Sequence, residues 1–199
     1  MNNSKNSVRT LTMLALLVAM SIVFSRVLSI STGFVRFNLG SLPVLLAALG
    51  RYLTEGGDVF AHAAALAAEL TPPRDTHGAA VARRHQVGGA RAEALAGFPT
   101  ARKAAELLQT HDPLTVLLWL MAHTEDTNLY HRGGAEGAAF VKEQAAAILA
   151  APPEKRVALT QALDDALIEC RLSPGGSADL LALALLLSSS STVFPSFDR

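Results

Sequence analysis

The sequence predicts an all-α fold, with an N-terminal apolar helix or hairpin of membrane character followed by a helical domain. Three observations lead there. Ala and Leu, both strong helix formers, recur throughout, while aromatic residues make up only 6% of the chain. No stretch alternates apolar and polar residues for long, so the period of a half-buried strand is missing. Proline and glycine pairs cut the rest into segments of helical length. Of the 199 residues, 50% are hydrophobic and 17% charged, which is more apolar than an ordinary soluble domain. A formal net charge of zero argues against a general polyanion binder. Cys170 is the single cysteine, so no intrachain disulfide forms, and its expected role is a small buried hydrophobe.

The elements follow in chain order. "LTMLALLVAMSIVF", Leu11 to Phe24, carries no charge, with Lys5 and Arg9 before it and Arg26 and Arg36 after. It is short of the roughly 20 residues of a full span. A second apolar run, "LGSLPVLLAALG", contains Pro43 and stops at Arg51. The open readings are a membrane anchor or hairpin, a signal peptide lacking an Ala-x-Ala site, and a buried helix. Two basic residues on each side of the first run leave its orientation undecided. The composition shifts near Gly50, which sets the expected division: an apolar segment over 1–50, a helical domain over 51–190 and a flexible tail over 191–199. In the domain, "VFAHAAALAAEL" reads as a helix ending before Pro72-Pro73. "GAAVARRHQV" and "ARAEAL" are short helices around Gly88-Gly89, and "TARKAAELLQTH" is a helix stopped at Asp112-Pro113. "LTVLLWLMAH", "AEGAAFVKEQAAAILAA", "EKRVALTQALDDALIECRL" and "ADLLALALLL" complete the series.

Polar residues gather in three clusters. The densest is "HTEDTNLYHRGG", His123 to Gly134. A helix continuing through it from Leu114 would place His123, Thr127 and His131 on one stripe, making His123 and His131 candidate metal ligands with Asp126 as a third, but the spacing matches no tight zinc signature. An oxygen-ligand reading suits the residue types better: Asp126 and Asn128 for Mg²⁺, Arg132 forked onto a phosphate, and Gly133-Gly134 opening the next helix toward an anion. The structural alternative is a capped helix–turn–helix with a solvated polar face. In "RLSPGGSADLL", Ser177 is the expected N-cap of an apolar helix with Asp179 in its first turn, and Gly175-Gly176 are a second candidate phosphate cradle. "THGAAVARRHQVGGARAEALAGFP" sets His77, Arg83, Arg84, His85 and Arg91 on a basic face beside Glu93. That face is either solvated or suited to a polyphosphate. Nucleic acid is not an expected partner, because aromatic interleaving is absent.

These clusters resemble a known family. Residues from about 51 to 190 are similar to the C-terminal half of triphosphoribosyl-dephospho-coenzyme A synthases, the malonate decarboxylase branch in particular. The carrying stretches are "THGAAVARRHQVGGARAEALAGFP", "LMAHTEDTNLYHRGGAEGAAFV" and "RLSPGGSADLLA", in that order. The resemblance implies an all-helical transferase of pentosyl type. It would join ATP to 3′-dephospho-coenzyme A, release adenine, and supply the prosthetic-group precursor of an acyl carrier subunit. It further implies Asp126, Glu93 or Asp179 as the catalytic carboxylate. Arg91, Asn128, Arg132, Gly133, Gly134, Gly175, Gly176 and Ser177 would hold phosphate or nucleotide, and Asp126 and Asn128 would hold Mg²⁺. A "PKPGLV"-type motif and a threonine–histidine–arginine–glycine run of the family's N-terminal half are not found in this sequence, which implies an incomplete synthase-like domain.

Residues 1 to about 50 resemble the start of a folate-type S component of an energy-coupling-factor transporter, through "LTMLALLVAMSIVFSRVLSI" and "VRFNLGSLPVLLAALG". The alternatives to a synthase are therefore a membrane protein of vitamin-transporter ancestry and a non-functional chimera of the two. The expected location is the cytoplasm, with membrane contact through residues 11–49. A homodimer is a further expected partner, since it would cover an exposed half-core.

Overall fold

The computed structural model describes residue 48, residues 56–69 and residues 77–190. Among these, all regular structure is helical: α1 (Val59–Glu69), α2 (His77–His85), α3 (Gly89–Leu95), α4 (Pro99–Leu107), α5 (Pro113–His123), α6 (Thr127–Ala150), α7 (Pro153–Glu169) and α8 (Gly175–Ser190). The apolar runs over residues 11–49 and the tail over 191–199 lie outside the described residues, apart from the buried Ala48. The expected boundary near Gly50 lies outside them too. Within the described residues no helix is long and apolar enough to cross a membrane.

Local chemistry sets most helix ends. Asp58 Oδ1 accepts from the Phe60 N–H at 2.8 Å and opens α1. Proline occupies the first turn of α4, α5 and α7, where its missing N–H costs nothing. Two helices close through a left-handed residue. Gly97 (φ 74) ends α3, with the Phe98 N–H donating to Glu93 O at 2.7 Å; Arg171 (φ 55) ends α7, with the Leu172 N–H donating to Leu167 O at 2.9 Å.

Helix α5 is apolar on all sides because it is the wall between two cores. Its Val116 and Leu120 face a core built with α1, α4 and α8, in which Phe98, Ala101, Ala104 and Ala184 are fully buried. Its Leu118 and Met121 face a second core, with Val141, Ala145 and Ile148 of α6 and Leu163 and Leu167 of α7. A helix buried on both sides carries no polar stripe, which is the physical reason for the run "LTVLLWLMA". Helix α7 packs on α6 at the edge, leaving Val157 and Ile168 exposed. Cys170, expected as a buried hydrophobe, is exposed, because the turn that ends α7 carries it into solvent.

Three local expectations are corrected. The helix from Leu114 does not run through the histidine cluster. Thr124 is extended (φ −106, ψ 154), so α5 ends at His123, α6 starts at Thr127, and the His123–Thr127–His131 stripe does not form. Gly133-Gly134 does not open the next helix, which has already begun. Gly134 instead breaks α6 with φ 66 and ψ −163, a backbone region that is essentially glycine's alone, and the helix resumes beyond it. Ser177 is not the N-cap of α8. The Ala178 N–H donates to Pro174 O at 3.0 Å, so the helix starts three residues earlier and Ser177 lies inside its first turn. Asp179 is accordingly in the second turn.

Candidate functional site

The three sequence clusters meet at the start of α6. Asp126 caps that helix, its Oδ1 accepting from the Asn128 N–H at 2.9 Å. Its Oδ2 accepts from the Ser177 N–H at 2.8 Å and from Ser177 Oγ at 3.1 Å. One carboxylate therefore sits at the N-termini of two helices, α6 and α8, where both helix dipoles favour negative charge. Asp126 is 4% exposed and Ser177 fully buried. Burial pushes the Asp126 carboxyl above its ordinary range, against the opposing pull of the donors at Ser177, Asn128 and Gly176. Thr124 Oγ1 donates to Leu120 O at 2.8 Å and lies 3.2 Å from Ser177 Oγ, which ties the end of α5 to the same point.

Close backbone approach explains the glycines. A Cβ on Gly176 would stand 2.9 Å from Asp126 Oδ1 and 3.2 Å from Oδ2, and one on Gly175 would stand 2.6 Å from Asn128 Nδ2. A Cβ on Gly133 would strike the Leu172 side chain, so the middle of the densest cluster packs on the approach to α8. The basic cluster joins from the other side. Gly89, at φ 54, has room only for hydrogen, because a Cβ there would stand 2.5 Å from Thr127 Cγ2. The His85 ring lies 5.1 Å from that of Tyr130, tilted by 45°.

The predicted residues thus separate. Asp126, Asn128, Gly175, Gly176 and Ser177 come together. Arg83, Arg84, Arg91, His131 and Arg132 are exposed. Gly134 forms the kink, with open space around it. Glu93 turns elsewhere: it accepts from the Thr100 N–H at 3.2 Å and from the Thr100 hydroxyl, supplying the side-chain cap that α4 lacks at Phe98. The Oδ1 atom of Asp179 is out of solvent. Glu93 is thus engaged at the start of α4, whereas Asp126 meets the start of α8, the helix that carries Asp179.

Nor does the arrangement fit Mg²⁺ on Asp126 and Asn128. Both Asp126 oxygens accept from N–H or O–H donors and the side chain is buried, whereas Mg²⁺ usually keeps several waters and so needs an open carboxylate. Among the described residues no group of three or more His, Cys, Asp or Glu side chains is placed to hold a metal.

A second network escaped sequence reasoning. Glu125 accepts from Tyr130 Oη at 2.6 Å and from Lys142 Nζ at 2.5 Å. Glu125 lies in the turn before α6, Tyr130 on the first arm of that helix and Lys142 beyond the Gly134 kink, so Glu125 links the two arms through its two partners. Burial raises the Glu125 carboxyl, but Lys142 and Tyr130 together outweigh it and leave it below the usual carboxylate range. The Glu125 hydrogen bond pushes the Tyr130 phenol up to about 12. His123 stacks on Trp119 at 4.8 Å, with Nδ1 2.8 Å from Trp119 O. The carbonyl can only accept, so Nδ1 carries the proton of this bond.

The described residues form an all-helical domain whose polar turns converge on two helix N-termini sharing one carboxylate. Residues 45–195, well over half of the chain, match the family of ATP:dephospho-CoA triphosphoribosyl transferases, and the chain belongs to that family. It is 45% identical over 114 residues to a 2-(5″-triphosphoribosyl)-3′-dephosphocoenzyme-A synthase of Pectobacterium atrosepticum, covering 52% of this chain and 37% of that one. It is 43% identical over 122 residues to a probable synthase of the same name from Pectobacterium carotovorum (56% and 40%), and 38% identical over 162 residues to one from Pseudomonas paraeruginosa (73% and 55%). The chain therefore spans about half the length of these curated relatives, or less. No solved structure matches it.

Proposed function

We propose that this chain carries part of the site of a triphosphoribosyl-dephospho-coenzyme A synthase, of the malonate decarboxylase branch. The reaction joins ATP to 3′-dephospho-coenzyme A, gives 2′-(5″-triphosphoribosyl)-3′-dephospho-coenzyme A, and releases adenine. A bond forms between the 2′-oxygen of dephospho-coenzyme A and the ribose C1 of ATP. The bond from C1 to adenine breaks, and the hydroxyl proton leaves as adenine gains one. The observation supporting this reading is the convergence of all three family-like stretches on the start of α6, through Asp126–Ser177, Gly89–Thr127 and His85–Tyr130.

The groups proposed for the triphosphate are Arg132 and Arg91, which are exposed and present forked donors suited to phosphate oxygens. The glycine turns let backbone approach the ligand closely. Mg²⁺ belongs, in this reading, to the ATP substrate as its counter-ion, and no step is assigned to a protein-held metal. The proposal places the domain in the cytoplasm with membrane contact through residues 11–49, which resistance to a carbonate wash would support. A homodimer is tested by sedimentation.

The deciding experiment measures adenine released by the full chain with ATP, Mg²⁺ and dephospho-coenzyme A. Adenine requiring both acceptor and donor supports the assignment, and Arg132→Ala is expected to lower the rate about 10–100-fold, the equivalent of one charge-assisted phosphate contact. A folded chain that releases none overturns the reading for this chain.

A further inference from the structure

We propose that Asp126 is a positioning residue which fastens two ligand-facing turns together by capping two helices at once, and that it neither holds Mg²⁺ nor transfers a proton. The inference rests on the synthase reading for its functional meaning, but its geometry stands apart from that reading. Helix N-termini leave several N–H groups without intrahelical partners, and each usually takes a cap from its own sequence. Helix α8 does not. The residues before it are Ser173 and Pro174, and its first turn is Gly175-Gly176-Ser177, none of which turns a carboxylate back onto the helix. The carboxylate comes instead from Asp126, 51 residues earlier in the chain, which also caps α6.

The surroundings are built for this arrangement. Gly176 lacks the Cβ that would press on both carboxylate oxygens, and Gly175 lacks the one that would strike Asn128. Ser177 gives its N–H and its hydroxyl to the same oxygen, and Thr124 flanks that hydroxyl. Asp126 is thus surrounded by donors of the protein itself, and it is too buried to meet a substrate hydroxyl directly. Its effect on the reaction passes through the turns it joins: "HTEDTN" on one side and "SPGGS" on the other. The second is one of the glycine turns proposed to approach the triphosphate, and the first leads into the helix that carries Arg132.

The test uses the full chain and amide hydrogen exchange by NMR, with Asp126→Asn and Ser177→Ala as conservative variants beside Asp126→Ala. A shared cap predicts that Asp126→Asn speeds exchange at both Asn128 and Ser177, while amides in the α7 core are unaffected. Ser177→Ala, which keeps the N–H, is expected to leave Asn128 protected. Millimolar Mg²⁺ alone is expected to leave the Asn128 and Ser177 amide shifts unmoved in the unaltered chain. Where adenine release is measurable, Asp126→Asn lowers kcat several-fold, with the Mg²⁺ concentration for half-maximal rate unchanged and no rescue by excess Mg²⁺. Unchanged Ser177 exchange in Asp126→Asn would overturn the shared cap. Mg²⁺-dependent shifts at these amides that vanish in Asp126→Asn, or rescue by Mg²⁺, would overturn the claim that Asp126 is not a metal ligand. If the unaltered chain releases no adenine, the synthase reading fails while exchange and the Mg²⁺ titration still decide the cap. If Asp126→Ala does not fold, Asp126→Asn and Ser177→Ala carry the comparison.

Discussion

Asp112 and Asp126 stand at opposite ends of α5 and perform the same elementary task, each capping the helix that follows it. Asp112 does so in solvent. Its Oδ1 accepts from the N–H groups of Leu114 and Thr115 at 3.0 and 3.1 Å, and its Oδ2 from Thr115 Oγ1 at 2.6 Å. Every partner is within three residues. Asp126 works in the interior and reaches a second helix. The environments drive the two carboxyls in opposite directions. Hydrogen bonds from Thr115 lower that of Asp112, and burial raises that of Asp126. A cap in water can be lost locally, because water replaces it. A cap shared by two buried helix ends holds the tertiary structure around it.

The largest expected effect breaks the buried member of the pair. Asp126→Ala strands the N–H groups of Asn128 and Ser177 away from water, and buried donors without acceptors cost about 1–3 kcal/mol each. A loss of about 3–5 kcal/mol, a large share of a typical domain's stability, is expected in urea unfolding. A loss no greater than that of Asp112→Ala would show that the two caps are equivalent. Next comes Gly176→Ala, which leaves Asp126 intact but sets a methyl 2.9–3.2 Å from its oxygens. Backbone on one side and a fixed carboxylate on the other leave little room to yield, so about 1–3 kcal/mol of overpacking is expected. A neutral result in the same unfolding assay would mean that the two helix ends can part without cost.

The same contrast separates what the sequence shows from what it hides. Asp112-Pro113 and Pro152-Pro153 announce helix ends, because these signals act within a few residues. The all-round apolarity of "LTVLLWLMA" marks a buried helix, and α5 lies between two cores. Helical spacing of His123, Thr127 and His131 gives the wrong continuation, because periodicity cannot register a capping turn at Thr124–Asp126. The cap of α8 lies 51 residues away, and the Lys142 partner of Glu125 lies 17 residues away across a kink; no local pattern encodes either. Of the proposed phosphate-binding residues, the glycine turns of α6 and α8 were legible as special backbone. That Gly175 and Gly176 make room for Asn128 and Asp126 emerges only when the helices are packed.

Asp112→Ala is the expected mild counterpart. An exposed N-cap replaced by Ala costs about 1 kcal/mol, and the loss is confined to the first turn of α5. Faster hydrogen exchange limited to Leu114 and Thr115 would agree, whereas exchange spreading to Ser177 would mean that α5 transmits the loss of one cap to the other.

The smallest effect is the most diagnostic, because its sign differs between the two residues. A carboxyl held below its unfolded value stabilises the native state above that value, and the contribution is lost as pH falls through the lower, folded one. Asp112 is in this class. A carboxyl held above its unfolded value binds its proton more tightly in the native state. Its favourable contribution is present below the unfolded value of about 3.9 and is lost as pH rises through the folded one. Asp126 is in that class. Melting temperatures of the unaltered chain, Asp112→Asn and Asp126→Asn, followed from acid to neutral pH, separate the two. The stability difference from Asp112→Asn should shrink on acidification. That from Asp126→Asn should shrink as pH rises above the ordinary carboxylate range, because charging a buried group offsets part of what its donors contribute. Parallel slopes for both variants would mean that the donors at Ser177, Asn128 and Gly176 outweigh burial, and that the interior cap titrates as if it stood in water.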